Sequence, residues 1–217
     1  MICNLENVVD QEDIFGNKAR NLSILITQDI LVPKGVAISF DTYLDHLKLG
    51  NFSSIFKREL YQKLNEFSGP YAIRSSADVE DSNQKSYAGQ FRTILGVSIQ
   101  DIEKAINEVY NSASKFNYSD THLDIKMGII IQQMIDSDLS GVLFTYDIIN
   151  KNPNSLMIEL SKGRCENIVS GKTNPSLYII DKKSREIILF EGGDQNILLN
   201  EIQKNHILEN AKEIERI

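Results

Sequence analysis

The residues predict an α+β protein whose elements gather into lobes around a cleft. Three observations carry this. Segments of helical period alternate irregularly with short apolar runs, and the run from Met127 to Met134 is almost unbroken, as expected of a strand covered on both faces. Stops built from Gly, Pro, Ser and Asp separate the segments. At roughly 100–200 residues per domain, the 217 residues make one large domain or two small lobes.

In chain order, Gly16 to Leu31 suits a helix, with Ala19, Leu22 and Ile26 at apolar spacing and with Asp29 and Pro33 bounding it. Val32-Pro33-Lys34-Gly35 turns into a short strand through Ile38. Ser39 and Asp41 can cap the next helix, Thr42 to Leu49. An amphipathic helix follows from Ser53 to Phe67, with Ile55, Leu60 and Leu64 as core contacts, and Ser68-Gly69-Pro70 stops it. Tyr71 to Arg74 is a buried strand ending on a cation. Ser75 to Gln90 is polar and loop-like, and Phe91 to Val97 returns to strand character. Ile99 to Phe116 forms a strong helix with Ile102, Ile106, Val109 and Ala113 on one face. Beyond the apolar run lie strands at Gly141 to Thr145, Leu156 to Leu160, Leu177 to Ile180 and Glu186 to Phe190. The last helix, Asn196 to Ile217, uses Leu199, Ile202, Ala211, Ile214 and Ile217. It lacks a stop signal, which leads us to expect a natural polypeptide or partner that continues it, fraying being the alternative.

The composition is that of a soluble globular protein, with 41% hydrophobic and 24% charged residues. It excludes a disordered tail, a collagen-like rod and a disulfide-stapled miniprotein. The net charge of −7 argues against nucleic acid as a partner, since such proteins present a basic face. No apolar run approaches the ~20 residues that cross a bilayer, and the first residues lack a basic segment followed by an apolar one, so a cytoplasmic protein off the membrane is expected. Cys3 and Cys165 read as reduced thiols, having no metal-ligand spacing.

Chemistry-bearing residues are scattered. Arg74-Ser75-Ser76 puts a planar cation and two hydroxyls at a strand end, a donor set suited to phosphate; an ion pair of Arg74 with Glu80 or Asp81 is the alternative. Lys85 to Gln90, with Ser86 and Gly89, reads as a phosphate-covering loop or an ordinary turn. Lys18, near a helix start, places an ammonium where the helix dipole also favours phosphate, or is simply solvated. Gln132-Gln133-Met134 ends the apolar run with exposed backbone that suits an adenine slot, or with one core Met. His46, His122 and His206 have no metal spacing, and solvated carboxylates are the default reading of Glu80-Asp81 and Asp136/Asp138. No residue is assigned as catalytic or as a metal ligand.

Taken together, these stretches resemble the N-terminal nucleotide-binding domain of the phosphoenolpyruvate synthase and pyruvate phosphate dikinase family, to which rifampicin phosphotransferase is related. Gly16-Asn17-Lys18-Ala19-Arg20-Asn21-Leu22 with Val32-Pro33-Lys34-Gly35 is similar to the family's GGKxxNL…VPxGF opening. Ala72 to Ala77, through Glu80-Asp81 to Ser86-Tyr87-Ala88-Gly89-Gln90-Phe91, resembles VRSSAxxED…SFAGQ. Ile131 to Met134 and Ser140 to Thr145 resemble VQxM…SGVxFT, and Gly163 to Pro175 resembles GxGExVVSGxVTP.

The resemblance implies an ATP-grasp-like, two-lobed fold over residues 1–217, with ATP held between the lobes. Position by position it puts Lys18 and Arg74 on the phosphates and Gly89 and Thr93 along the phosphate side. It puts Gln132 near adenine and ribose, and makes the Gln133-Met134-Ile135 backbone the adenine hinge. It implies Mg²⁺ beside ATP. The phosphoryl group would pass to a histidine on a separate domain, and an acceptor domain would hand it to pyruvate. An antibiotic hydroxyl or amide nitrogen is an alternative acceptor, and a free-standing, non-catalytic nucleotide-binding module is the alternative function. Departures are Asn17 for the second glycine, Cys165 for a glycine, and Tyr146-Asp147-Ile148 where a proline follows Phe144-Thr145. The family's PQDIEWA-type motif would come after Ile217, so an incomplete domain, C-terminally truncated, is expected. The phosphohistidine and acceptor domains would lie elsewhere, and none of the three histidines is proposed as the one phosphorylated.

Overall fold

The computed structural model describes residues 1–78, 91–117, 125–165, 168 and 171–216. These form two compact units, Met1–Met134 and Ile135–Ile217. Helices and two antiparallel sheets make up the chain, so it is α+β.

The first unit opens with β1 (Ile2–Asn4), α1 (Glu12–Phe15) and α2 (Asn17–Thr27), then β2 (Gly35–Ile38), α3 (Phe40–Leu49) and α4 (Ser54–Leu64). It continues with β3 (Tyr71–Ala77), β4 (Thr93–Val97), α5 (Ile102–Asn117) and β5 (Met127–Gln133). Its sheet runs β1-β2-β5-β3-β4, so β5 lies in the middle, antiparallel to both neighbours. That position explains the unbroken apolar run. Alternation along β5 sends Ile129 and Ile131 into a core with Phe56, Leu60, Ile102, Ile106 and Val109. It sends Ile130 into a second core with Phe15, Ala19 and Ala37 on the opposite face.

The second unit holds β6 (Leu139–Phe144), β7 (Ser155–Lys162), β8 (Ser176–Asp181), β9 (Ile187–Glu191) and α6 (Glu201–Ile214). The strands form a meander in sequence order. Leu156, Ile158, Leu160, Tyr178 and Ile180 pack with Leu208 and Ala211 of α6. Asn200 and Gln203 close a capping box at the start of that helix.

Several expectations need correction. Ser75, Ser76 and Ala77 are strand, not loop, because each pairs with β5, at Ile129, Gly128 and Met127. Ile55 is 68% exposed. The buried stripe of α4 is Phe56, Leu60 and Leu64, four residues apart, and Ile55 falls about 100° away from it on the helical wheel. The last helix begins at Glu201, not Asn196. Ile202, 82% exposed, and Ile214 lie off the face that buries Leu208 and Ala211. α2 ends at Thr27, before Leu31, with Asp29 at a positive φ of 59°. α3 starts at Phe40, and neither Ser39 nor Asp41 caps it through a side chain: the Ser39 hydroxyl instead accepts from the Met1 amino group. Cys3 and Cys165 are unpaired, with both thiols pushed up by burial. No described helix is long and apolar enough to cross a membrane.

Candidate functional site

One face of the first sheet collects four of the predicted residues. On β3, alternation puts Ala72, Arg74 and Ser76 on the face that carries α2, opposite the larger core. On β5 the same face carries Gly128, Ile130 and Gln132. Thr93 is the direct cross-strand partner of Arg74, so it shares that face, exposed on the edge strand β4. Lys18, in the first turn of α2, reaches across and donates from Nζ to the Ser75 carbonyl at 3.0 Å. Lys18 and Arg74 are both half-buried.

Gln132 links this face to the start of β2. Its Oε1 accepts from Arg74 Nη1 at 3.1 Å, and its Nε2 donates to the Pro33 carbonyl at 3.3 Å. Both ends of the buried amide are therefore engaged inside the protein, which fixes its orientation and restrains the Arg74 guanidinium. Gly35, opposite Gln132 in the ladder, makes room for it. A Cβ there would stand 2.5 Å from the Ile131 carbonyl oxygen and 2.9 Å from Gln132 Cγ.

At Gln133 and Met134 the backbone is also engaged. Gln133 N–H donates to the Lys34 carbonyl at 2.8 Å and Met134 N–H to the Pro70 carbonyl at 2.9 Å. Gln133 Nε2 donates to Ser68 Oγ at 3.1 Å, and Met134 Sδ accepts from Gly96 N–H. Ile135 is exposed. An open groove of about 730 Å³ lies beside this end, lined by Phe67, Ser68, Pro70, Tyr71 and Gly96 among others. Phe67 and Tyr71 meet edge to face on its wall, with ring centroids 5.7 Å apart.

Gly89 lies outside the described residues, as do Glu80, Asp81, Ser86 and Glu166. Asp136 is exposed and faces Arg164 at 3.6 Å. Among the described residues no group of three or more His, Cys, Asp or Glu is placed to hold a metal ion. Lys18, Arg74, Thr93 and Gln132 offer cations, a hydroxyl and an amide, which suit an anion and do not fit a magnesium ion.

The sequence missed what holds Lys18 in place. Gly16, at a φ of +86°, precedes α2 so tightly against β3 that a Cβ would stand 2.5 Å from the Ser76 carbonyl oxygen and 2.6 Å from Ser76 Oγ. Gly128 meets the same knot from β5, where a Cβ would lie 2.6 Å from the Phe15 carbonyl oxygen. The signal was available: a glycine inside a β-branched strand marks a close backbone approach.

A family model described as pyruvate phosphate dikinase, AMP/ATP-binding domain, matches residues 56–215. That stretch includes Arg74, Gly89, Thr93, Gln132 and Gln133-Met134-Ile135, and Lys18 precedes it. Among curated relatives, a probable phosphoenolpyruvate synthase of Methanocaldococcus jannaschii is 31% identical over 60% of this chain and 12% of its own length. An uncharacterized phosphotransferase, YvkC, of Bacillus subtilis is 29% identical over 82% of this chain and 25% of its own. A probable phosphoenolpyruvate synthase of Archaeoglobus fulgidus is 27% identical over 88% of this chain and 32% of its own. The chain thus spans a third or less of the length of each of these relatives.

Proposed function

Since the chain belongs to the pyruvate phosphate dikinase AMP/ATP-binding domain family, we propose that it is the ATP-binding module of a phosphotransferase whose phosphate contacts are Lys18 and Arg74, with Thr93 lining the phosphate side. The observation that carries this reading is the convergence of Lys18, Arg74, Thr93 and Gln132 on one sheet face. Cations and a hydroxyl carried on one face suit a triphosphate, because catalysis of phosphoryl transfer is mainly positioning and charge stabilisation. Gly89 joins the phosphate side in this proposal, on the resemblance alone.

Adenine would lie at Gln133-Met134-Ile135, next to the aromatic-walled groove. Two hinge N–H groups are already bonded within the protein, so the base would be read through hinge carbonyls and Ile135 N–H. Gln132 acts here by orienting Arg74 as well as by lying near the ribose. Magnesium enters as a companion of the triphosphate rather than as an ion held by the described side chains, and no step is drawn through it.

In this proposal residues 1–217 form the greater part of an ATP-grasp-like domain, in the cytoplasm. It passes a phosphoryl group from ATP to a histidine on a separate domain, and an acceptor domain delivers it to pyruvate. Support comes from the relatives named phosphoenolpyruvate synthase, all much longer than this chain. The relative named only as a phosphotransferase covers more of the chain than the first of these and keeps a different acceptor in play.

The test is to mix the purified chain with ATP and a recombinant phosphohistidine domain from one of these relatives. An acid-labile, ATP-derived phosphate on that domain is expected. ATP binding without any labelled histidine would leave a nucleotide-binding module and overturn the transfer step.

A further inference from the structure

We propose that Ser76 is a positioning residue that sets where Lys18 stands relative to Arg74; this rests on the reading that those two cations face the phosphates of ATP. The residue before α2 is Gly16, which has no side chain to cap the helix, so the first-turn N–H groups depend on partners from elsewhere in the fold. Ser76 supplies one in trans. It is fully buried, and its Oγ accepts from Ala19 N–H at 3.3 Å.

Ser76 lies two residues from Arg74 on the same strand and the same face. Ala19 directly follows Lys18. The hydroxyl therefore ties the helix that bears one cation to the strand that bears the other. The adjoining backbone tightens the tie. Ser75 supplies the carbonyl that accepts from Lys18 Nζ, while Ser76 Oγ and its carbonyl fill the space where a Cβ on Gly16 would sit. The same carbonyl oxygen lies 2.9 Å from the Cβ position of Gly128. The hydroxyl is the side-chain part of this tie, so its loss lets the start of α2 shift slightly while the core below it stays intact. The two serines after Arg74 then serve the site from beneath, rather than as hydroxyls offered to the ligand.

Calorimetric titration of the full chain with ATP and with adenosine, each with magnesium in the buffer, tests this. Ser76→Ala is expected to weaken ATP about five-fold, the worth of one hydrogen bond, and to leave adenosine unchanged. In a Lys18→Ala background the same substitution should change ATP affinity less than about two-fold, because the side chain through which it acts is gone. Equal losses with and without the Lys18 side chain, or equal losses for ATP and adenosine, overturn the positioning role. Ser76→Cys keeps the volume with a poorer acceptor, and carries the same comparison should Ser76→Ala fail to fold. ATP binding that is weakened by Arg74→Ala and untouched by Ser76→Ala overturns this inference alone. An unsubstituted chain that binds no ATP overturns it together with the proposed function.

Discussion

Arg74 ends up half-buried, restrained by a glutamine amide and facing the same side as Lys18, a combination that makes it the most informative single position. Arg74→Ala is expected to keep the fold and weaken ATP about ten-fold or more, since a hydrogen bond to a charged group contributes about 1.5–3 kcal/mol. Titration calorimetry reads it, and equal affinity in variant and parent would rule the contact out. Gln132→Ala removes one restraint on Arg74 and leaves the Pro33 carbonyl without that donor. ATP and inorganic triphosphate should therefore both bind more weakly. A loss confined to ATP would assign Gln132 to the base instead. His46 is a different kind of residue, its ring stacked on Phe52 at 4.6 Å and its pKa pushed below the usual value of 6.5 by burial. The unfolded chain thus takes up this proton more readily than the folded one, so the contribution to stability is constant above about pH 6.5 and is lost as the pH falls below it. Urea denaturation at pH 7 and pH 5.5 should show a smaller loss for His46→Gln than for the parent.

Among the elements, β5 illustrates what periodicity conveys and what it omits. Its apolar run announced a strand covered on both faces, and its central place between β2 and β3 provides that cover. The interruption at Gly128 carries no hydropathy signal, yet the Phe15 carbonyl occupies the space a side chain would need. Gly128→Ala is expected to cost about 2 kcal/mol or more in urea denaturation, as overpacking against fixed backbone does. Gly96→Ala is the comparison, with a φ of +70° and open space around the Cβ position, and its cost should stay at the 1–2 kcal/mol expected of left-handed backbone alone. Helix faces were less legible than strands. The α4 and α6 stripes were misread at Ile55 and Ile202 because an apolar residue also lies off the buried face of each helix, and the tertiary partner decides which side is covered. Asn200→Ala should lower stability by about 1 kcal/mol, the usual worth of an N-cap, in the same assay.

On the scale of the whole molecule, the division after Met134 leaves each unit with its own apolar packing, and Lys18, Arg74, Thr93 and Gln132 all belong to the first. Length alone had left one large domain and two small lobes both open. Lys18 and Arg74, proposed for the phosphate side, stand out in the sequence because each sits in a short motif whose residues stay together. The support beneath them was not: Ser76, Gly128 and Pro33 come from three separate segments that only the sheet brings together. A net charge of −7 surrounds this small cationic face. ATP affinity should therefore fall as potassium chloride rises from 50 to about 300 mM, while adenosine affinity holds, because the Debye length shrinks below the reach of Lys18 and Arg74 through solvent. Equal salt sensitivity of the two ligands would argue against phosphate recognition by these residues.

The bond from Ala19 to Ser76 also has a consequence in time. The opening turn of a helix ordinarily frays, and its amide protons trade with solvent quickly. Here one of them is donated to a hydroxyl buried between that helix and the first unit's sheet. In deuterated water the Ala19 amide should outlast those in the last turn of α2, so that this helix exchanges from its far end and the lysine end is the last to let go.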